Sequence, residues 1–158
     1  MVIIGITGKP GSINRNLLLY AVNNSPSLFI DCANCANPHS LFPLIDIDSL
    51  GGVYVMQAEL IYTFRDVLKK AAVVAQSLKV NCIIITTFNG LFDYDDKLEN
   101  KDVYAHCWEL IKELSKTREV LVGLSEGSQA EHCDQIVRSQ WSESAILQQK
   151  RRNLIEQD

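Results

Sequence analysis

The amino-acid sequence predicts an α/β domain with a mostly parallel sheet and helices on both faces. Three observations carry this. Short apolar, strand-like runs alternate with longer stretches of helical periodicity, the order that builds parallel sheets through helical crossovers. Two of the runs, Val2–Thr7 (VIIGIT) and Cys82–Thr87 (CIIITT), are apolar and rich in β-branched residues without alternation, as strands buried on both faces are. A glycine-rich turn joins the first run to a leucine-rich stretch, within GITGKPGSINRNLLLY from Gly5 to Tyr20.

In chain order, Val2–Thr7 is the first strand. Asn14–Asn23 is the first helix, with Leu17, Leu18, Tyr20 and Ala21 at near-helical spacing. Ser27–Asp31 (SLFID) is the second strand. Cys32–Leu50 reads as a loop with at most one short helical turn, because Asn34, Asn37, Pro38 and Pro43 punctuate it. After Gly51-Gly52, Val53–Gln57 (VYVMQ) is the third strand. Ala58–Ser77 is the longest helical stretch; Leu60, Ile61, Phe64, Val67, Leu68, Ala71, Val74 and Leu78 fall on one face. Cys82–Thr87 is the most apolar strand and so is expected at the centre. Phe88–Asn100 is a polar, acidic loop, and Lys101–Lys116 is a helix carrying Val103, Trp108, Leu110, Ile111 and Leu114. Val120–Ser125 (VLVGLS) is a fifth strand and Gln135–Ser139 a sixth. Ser142–Glu156 reads as a C-terminal helix, with Ser142 as N-cap and a glutamate in the first turn. No repeat, low-complexity segment or linker interrupts the chain, so residues 1–158 read as one domain.

Bulk properties bound the function. A chain of 158 residues has the length to bury a core. At 47% hydrophobic and 22% charged it is globular rather than disordered. A net charge of -4 argues against a general polyanion binder; contact with nucleic acid would need a local basic patch. No apolar run reaches the ~18 residues of a membrane helix. The opening MVIIGITG has neither a basic n-region nor a cleavage site. Five cysteines, an odd number in a domain with its own core, favour reduced thiols. A cytoplasmic protein with no membrane partner is therefore expected.

Parallel sheets bind ligands at the carboxyl ends of their strands, which directs attention to the turn after the first strand. A phosphate-binding loop needs G-x-x-x-x-G-K-[ST]: backbone N–H groups cradle the phosphates, the lysine reaches the β/γ-phosphates and the hydroxyl holds magnesium. From Gly8 this sequence reads G-K-P-G-S-I-N-R. Gly8 fits the first glycine. Ile13 then stands at the second glycine, Asn14 at the lysine and Arg15 at the hydroxyl. The frame fits without a gap and three chemical positions are lost. One alternative is a strand–helix turn that merely needs glycines. Another is an anion site on Gly8, Gly11, Ser12 and the N–H groups of the following helix, helped by Lys9 or Arg15.

Beyond this loop, the chain resembles a RecA/RadA/KaiC-type ATPase core. CIIITTFNGLF (Cys82–Phe92) is similar to that family's Walker B strand, and on this register Thr86 stands where the magnesium-binding aspartate would be. VYVMQAEL resembles the third strand and helix entry, where many members place the water-activating glutamate; Glu59 is near that position. EVLVGLS (Glu119–Ser125) resembles the strand carrying the sensor residue, and AEHCDQIVRSQ (Ala130–Gln140) the strand after it. The resemblance covers most of the chain by order of elements. It implies a minimal RecA-like three-layer αβα sandwich, with Val2–Thr7 and Cys82–Thr87 as adjacent central parallel strands. With both Walker motifs degenerate it implies no ATPase activity and no bound ATP or magnesium. It further implies an accessory or regulatory protein in recombination or repair, binding a RecA-like partner, itself or DNA.

Other features have bland readings. Cys32 and Cys35 form a C-x-x-C with His39 close by, yet zinc sites pair two knuckles and a redox motif opens a long helix; the plain reading is small residues in a strand-end loop. Lys150, Arg151 and Arg152 could touch a phosphate backbone or an acidic partner, and are offset by Glu156 and Asp158. FDYDDKLEN (Phe92–Asn100) lacks the spacing of a calcium loop. His106, Trp108 and Trp141 read as packing or partner residues. Two further hypotheses stand beside the interaction protein: a nucleotide hydrolase with an unorthodox site built from Lys9, Arg15 and Glu59, and a metal or redox protein using Cys32 and Cys35.

Overall fold

The computed structural model describes residues 2–36, 51–92 and 97–139. The expected helix Ser142–Glu156, His39, Trp141 and the basic triplet Lys150–Arg152 lie outside them. Among the described residues six strands form one sheet: β1 (Ile3–Thr7), β2 (Ser27–Asp31), β3 (Val53–Gln57), β4 (Cys82–Ile85), β5 (Glu119–Gly123) and β6 (Gln135–Arg138). Three α-helices accompany them in the described residues: α1 (Pro10–Asn23), α2 (Ile61–Leu78) and α3 (Lys97–Ser115). The sheet order is β3-β2-β4-β5-β1-β6, and every pairing is parallel.

The direction of travel explains the layers. From β1 the chain moves toward β3, then reverses to lay down β4 and β5. Parallel crossovers are right-handed, so the reversal sends the later helices to the opposite face. Accordingly α1 packs Ile13, Leu17, Leu18 and Ala21 against Phe29, Ile84 and Leu121. On the other face α2 and α3 bury Phe64, Leu68, Ala71, Trp108 and Ile111 against Leu28, Ile30, Ile83, Ile85, Val120 and Val122. Phe88, just past β4, is the hub of this face; its ring lies 4.8 Å from Phe64 and 5.6 Å from Trp108.

Cys82–Ile85 is an interior strand, as its composition predicts, but β1 and β4 are not adjacent. β5 lies between them: Val120 is in register with Ile3 on one side and Ile83 on the other. Unbroken apolarity says that a strand is interior, not which strand is its neighbour. Val120, Leu121 and Val122 alternate between the two cores, and that covering of both faces places β5 inside the sheet.

Boundaries shift where local signals mislead. The first helix begins at Pro10, four residues before the expected Asn14, because proline at the first helical position costs no hydrogen bond. The second begins at Ile61 and ends at Leu78, with Lys79 as its C-cap in the left-handed conformation (φ 52°). The acidic loop after β4 contains a 3₁₀ turn, Asn89–Phe92, and α3 starts at Lys97. A second 3₁₀ turn, Gly127–His132, precedes β6.

Gly123 lets α1 and the β4 end meet over β5. A Cβ there would sit 2.9 Å from the Thr87 backbone nitrogen and 3.1 Å from Ile13 Cγ2. Gly123→Ala is expected to destabilise the chain by about 1–3 kcal/mol through overpacking, read as a lower urea midpoint at unchanged m-value. A midpoint equal to that of the unaltered protein would show that this approach is not tight.

Candidate functional site

The carboxyl edge of the sheet is where a fold of this kind offers a ligand site, and there the structure joins loop to loop through side chains. At the end of β1, the connection to α1 is only Gly8 and Lys9. Gly8 has φ +142°, and a Cβ on it would meet the Ser139 carbonyl oxygen at 3.1 Å, so both backbone conformation and contact require glycine. Lys9 caps α1 in extended conformation, its carbonyl accepting the amides of Ser12 and Ile13 at 2.9 and 3.1 Å. Gly11 and Ser12 therefore lie within the first helical turn rather than in a loop. Lys9, Gly11 and Arg15 are exposed.

Side chains from the strand ends meet this turn. Ser12 Oγ lies 2.6 Å from Ser139 Oγ, and Asn16 donates to Ser139 Oγ at 2.7 Å and to the Ser12 carbonyl at 2.9 Å. The Ser139 amide donates to the Thr7 carbonyl at 2.6 Å. Asn14 makes a two-bond pair with Thr87: its amide donates to Thr87 Oγ1 at 3.0 Å, and the Thr87 amide donates to Asn14 Oδ1 at 3.1 Å. Ile13, the residue in the second-glycine position, is a core side chain only 1% exposed.

Thr86, the residue on the Walker B-like register, is fully buried, and its hydroxyl accepts the Cys32 amide at 2.8 Å. Asp31 organises the C-x-x-C loop. Its carboxylate is 2% exposed and accepts the amides of Ala33, Cys35 and Ala36 at 2.9–3.1 Å, plus the Cys35 thiol at 3.4 Å. Burial, then the Asp31 charge, pushes the Cys35 thiol up to about 12 and the Cys32 thiol higher still. The thiolate is the nucleophile and the metal ligand, and burial beside Asp31 disfavours that form of both cysteines. Among the described residues no cluster of three or more His, Cys, Asp or Glu side chains is placed to hold a metal. Native protein at pH 8 is expected to react with iodoacetamide at Cys35 at least tenfold more slowly than the urea-unfolded chain does. Equal rates, or about one zinc per chain by elemental analysis, would overturn this reading of the loop.

Glu59 lines a different feature, a cleft of about 350 Å³ at the ends of β2 and β3 with Asp31, Asn34, Gln57, Gly90 and Leu91. The strand it follows, β3, is four places from β1 in the sheet, roughly 19 Å at ~4.8 Å per strand. The structure therefore places the Lys9–Arg15 turn and Glu59 at separate positions along the carboxyl edge.

Several residues of this edge carry no motif signal. Gln129 is fully buried; its Oε1 accepts the amides of Ser125 and Glu126 and its amide donates to Asn89 Oδ1 at 2.7 Å, tying the β5 loop to the β4 loop. Its spacing three residues after Glu126 is a capping-box signature. Asn14 and Asn16, poor helix formers in the first helix, are the sequence's hint of tertiary partners. For Asp31 the hint is a strand-end aspartate before a short polar loop.

No family model matches the chain, and no curated protein matches it in sequence. Its coordinates superpose on the crystal structure of the RadB recombinase with a TM-score of 0.65, at 11% identity, over 87% of this chain and 73% of that one. The fold is RecA-like. An identity this low establishes architecture and not activity. In this sheet the Gly8–Arg15 segment spans the junction of β1 and α1. Among the described residues no helix is long and apolar enough to cross a membrane.

Proposed function

We propose that this chain is a non-catalytic RecA-like domain that works as an accessory or regulatory interaction protein in DNA recombination or repair. Its partner would be a RecA-like recombinase, a second copy of itself or DNA. The observation that carries the reading is the two-residue β1–α1 connection. A phosphate cradle needs a run of backbone N–H groups wrapped around the anion, a lysine and a magnesium ligand. Here the helix starts at Pro10, Ile13 is in the core, and Asn14 is paired with Thr87. Thr86 spends its hydroxyl on a backbone amide. Among the described residues, Ser12, Asn14, Asn16, Thr86, Thr87 and Ser139 of the carboxyl edge are hydrogen-bonded within the chain, which favours a chain that folds without nucleotide.

The interaction half of the proposal rests on the β3 edge of the sheet. Tyr54 and Val55 are 40% and 46% exposed, and Leu60 and Tyr62 at the entrance to α2 are 61% and 41% exposed. The Arg65 guanidinium lies 5.3 Å from the centre of the Tyr62 ring. Tyrosine and arginine are the residue types that anchor interfaces, and an apolar edge strand is a template for an added strand. That the structural relative is a recombinase supplies the class of process.

Two measurements test this. Titration calorimetry with magnesium and a non-hydrolysable ATP analogue is expected to show no binding; micromolar affinity abolished by Lys9→Ala or Arg15→Ala would favour a nucleotide-binding protein instead. Co-precipitation of a RecA-like recombinase, identified by mass spectrometry, is expected to be lost in a Tyr54→Asp, Val55→Asp variant. Capture that is indifferent to these substitutions would remove the β3 edge from the proposal.

A further inference from the structure

We draw no further inference here: the strongest candidate, the apolar groove between α1 and the edge strand β6 lined by Ile6, Leu17, Tyr20, Leu121 and Val137, carries nothing because no contact in the structure shows what covers it.

Discussion

Rebuilding the phosphate-loop residues, through an Ile13→Gly, Asn14→Lys, Arg15→Thr variant, is expected to unfold the chain rather than to create a nucleotide site. Ile13 is 1% exposed and packs into the α1-side core. Emptying such a position costs ~2–5 kcal/mol, and a glycine inside a helix adds about 1 kcal/mol relative to alanine. Asn14→Lys removes both hydrogen bonds to Thr87. The Thr87 amide then loses its acceptor; its partial burial puts the cost near the low end of ~1–3 kcal/mol. These losses are neighbours and need not add, but together they rival the ~5–15 kcal/mol that holds a typical domain. Circular dichroism in a urea series checks this directly. A variant that unfolds cooperatively at a urea midpoint close to that of the unaltered protein, and binds magnesium–ATP, would mean that the β1–α1 junction rearranges freely into a phosphate loop.

Asp31→Ala is expected to be the most damaging single change at the carboxyl edge. The buried carboxylate serves three backbone amides and one thiol. Alanine leaves those amides without their acceptor at once, whereas Asp31→Asn keeps one carbonyl oxygen for them. Because Ala33 is exposed and Cys35 and Ala36 are half-buried, water compensates part of the loss. The expected cost is about 2–4 kcal/mol for alanine and roughly half of that for asparagine. Denaturant midpoints of the two variants give the comparison. Alkylation of Cys35 should also speed up in Asp31→Ala, since the thiol loses both its acceptor and a neighbouring negative charge. Two variants of equal stability, both within about 0.5 kcal/mol of the unaltered chain, would show that the loop does not depend on this carboxylate.

The sequence by itself determined the alternation of strands and helices, the parallel sheet and the identity of six strands. These follow from near-neighbour chemistry: β-branched apolar runs, 3.6-residue periodicity and punctuation by glycine, proline and asparagine. It also located the junction between β1 and α1, because a glycine turn after a first apolar strand can be read along the chain. What it left open is everything fixed by residues distant in sequence. Whether β4 or β5 borders β1 depends on where the α3 crossover lands, and apolar strands are interchangeable in composition. The roles of Asn14 and Ser139 depend on partners 73 and 127 residues away. Alignment to a phosphate-loop frame treats Ile13, Asn14 and Arg15 as three losses, each judged by what is missing. Only the tertiary structure assigns two of them work of their own: Ile13 fills the core under Gly123, and Asn14 fastens α1 to the end of β4. A buried polar group must find a partner, and that partner is chosen by the fold rather than by the neighbouring residues.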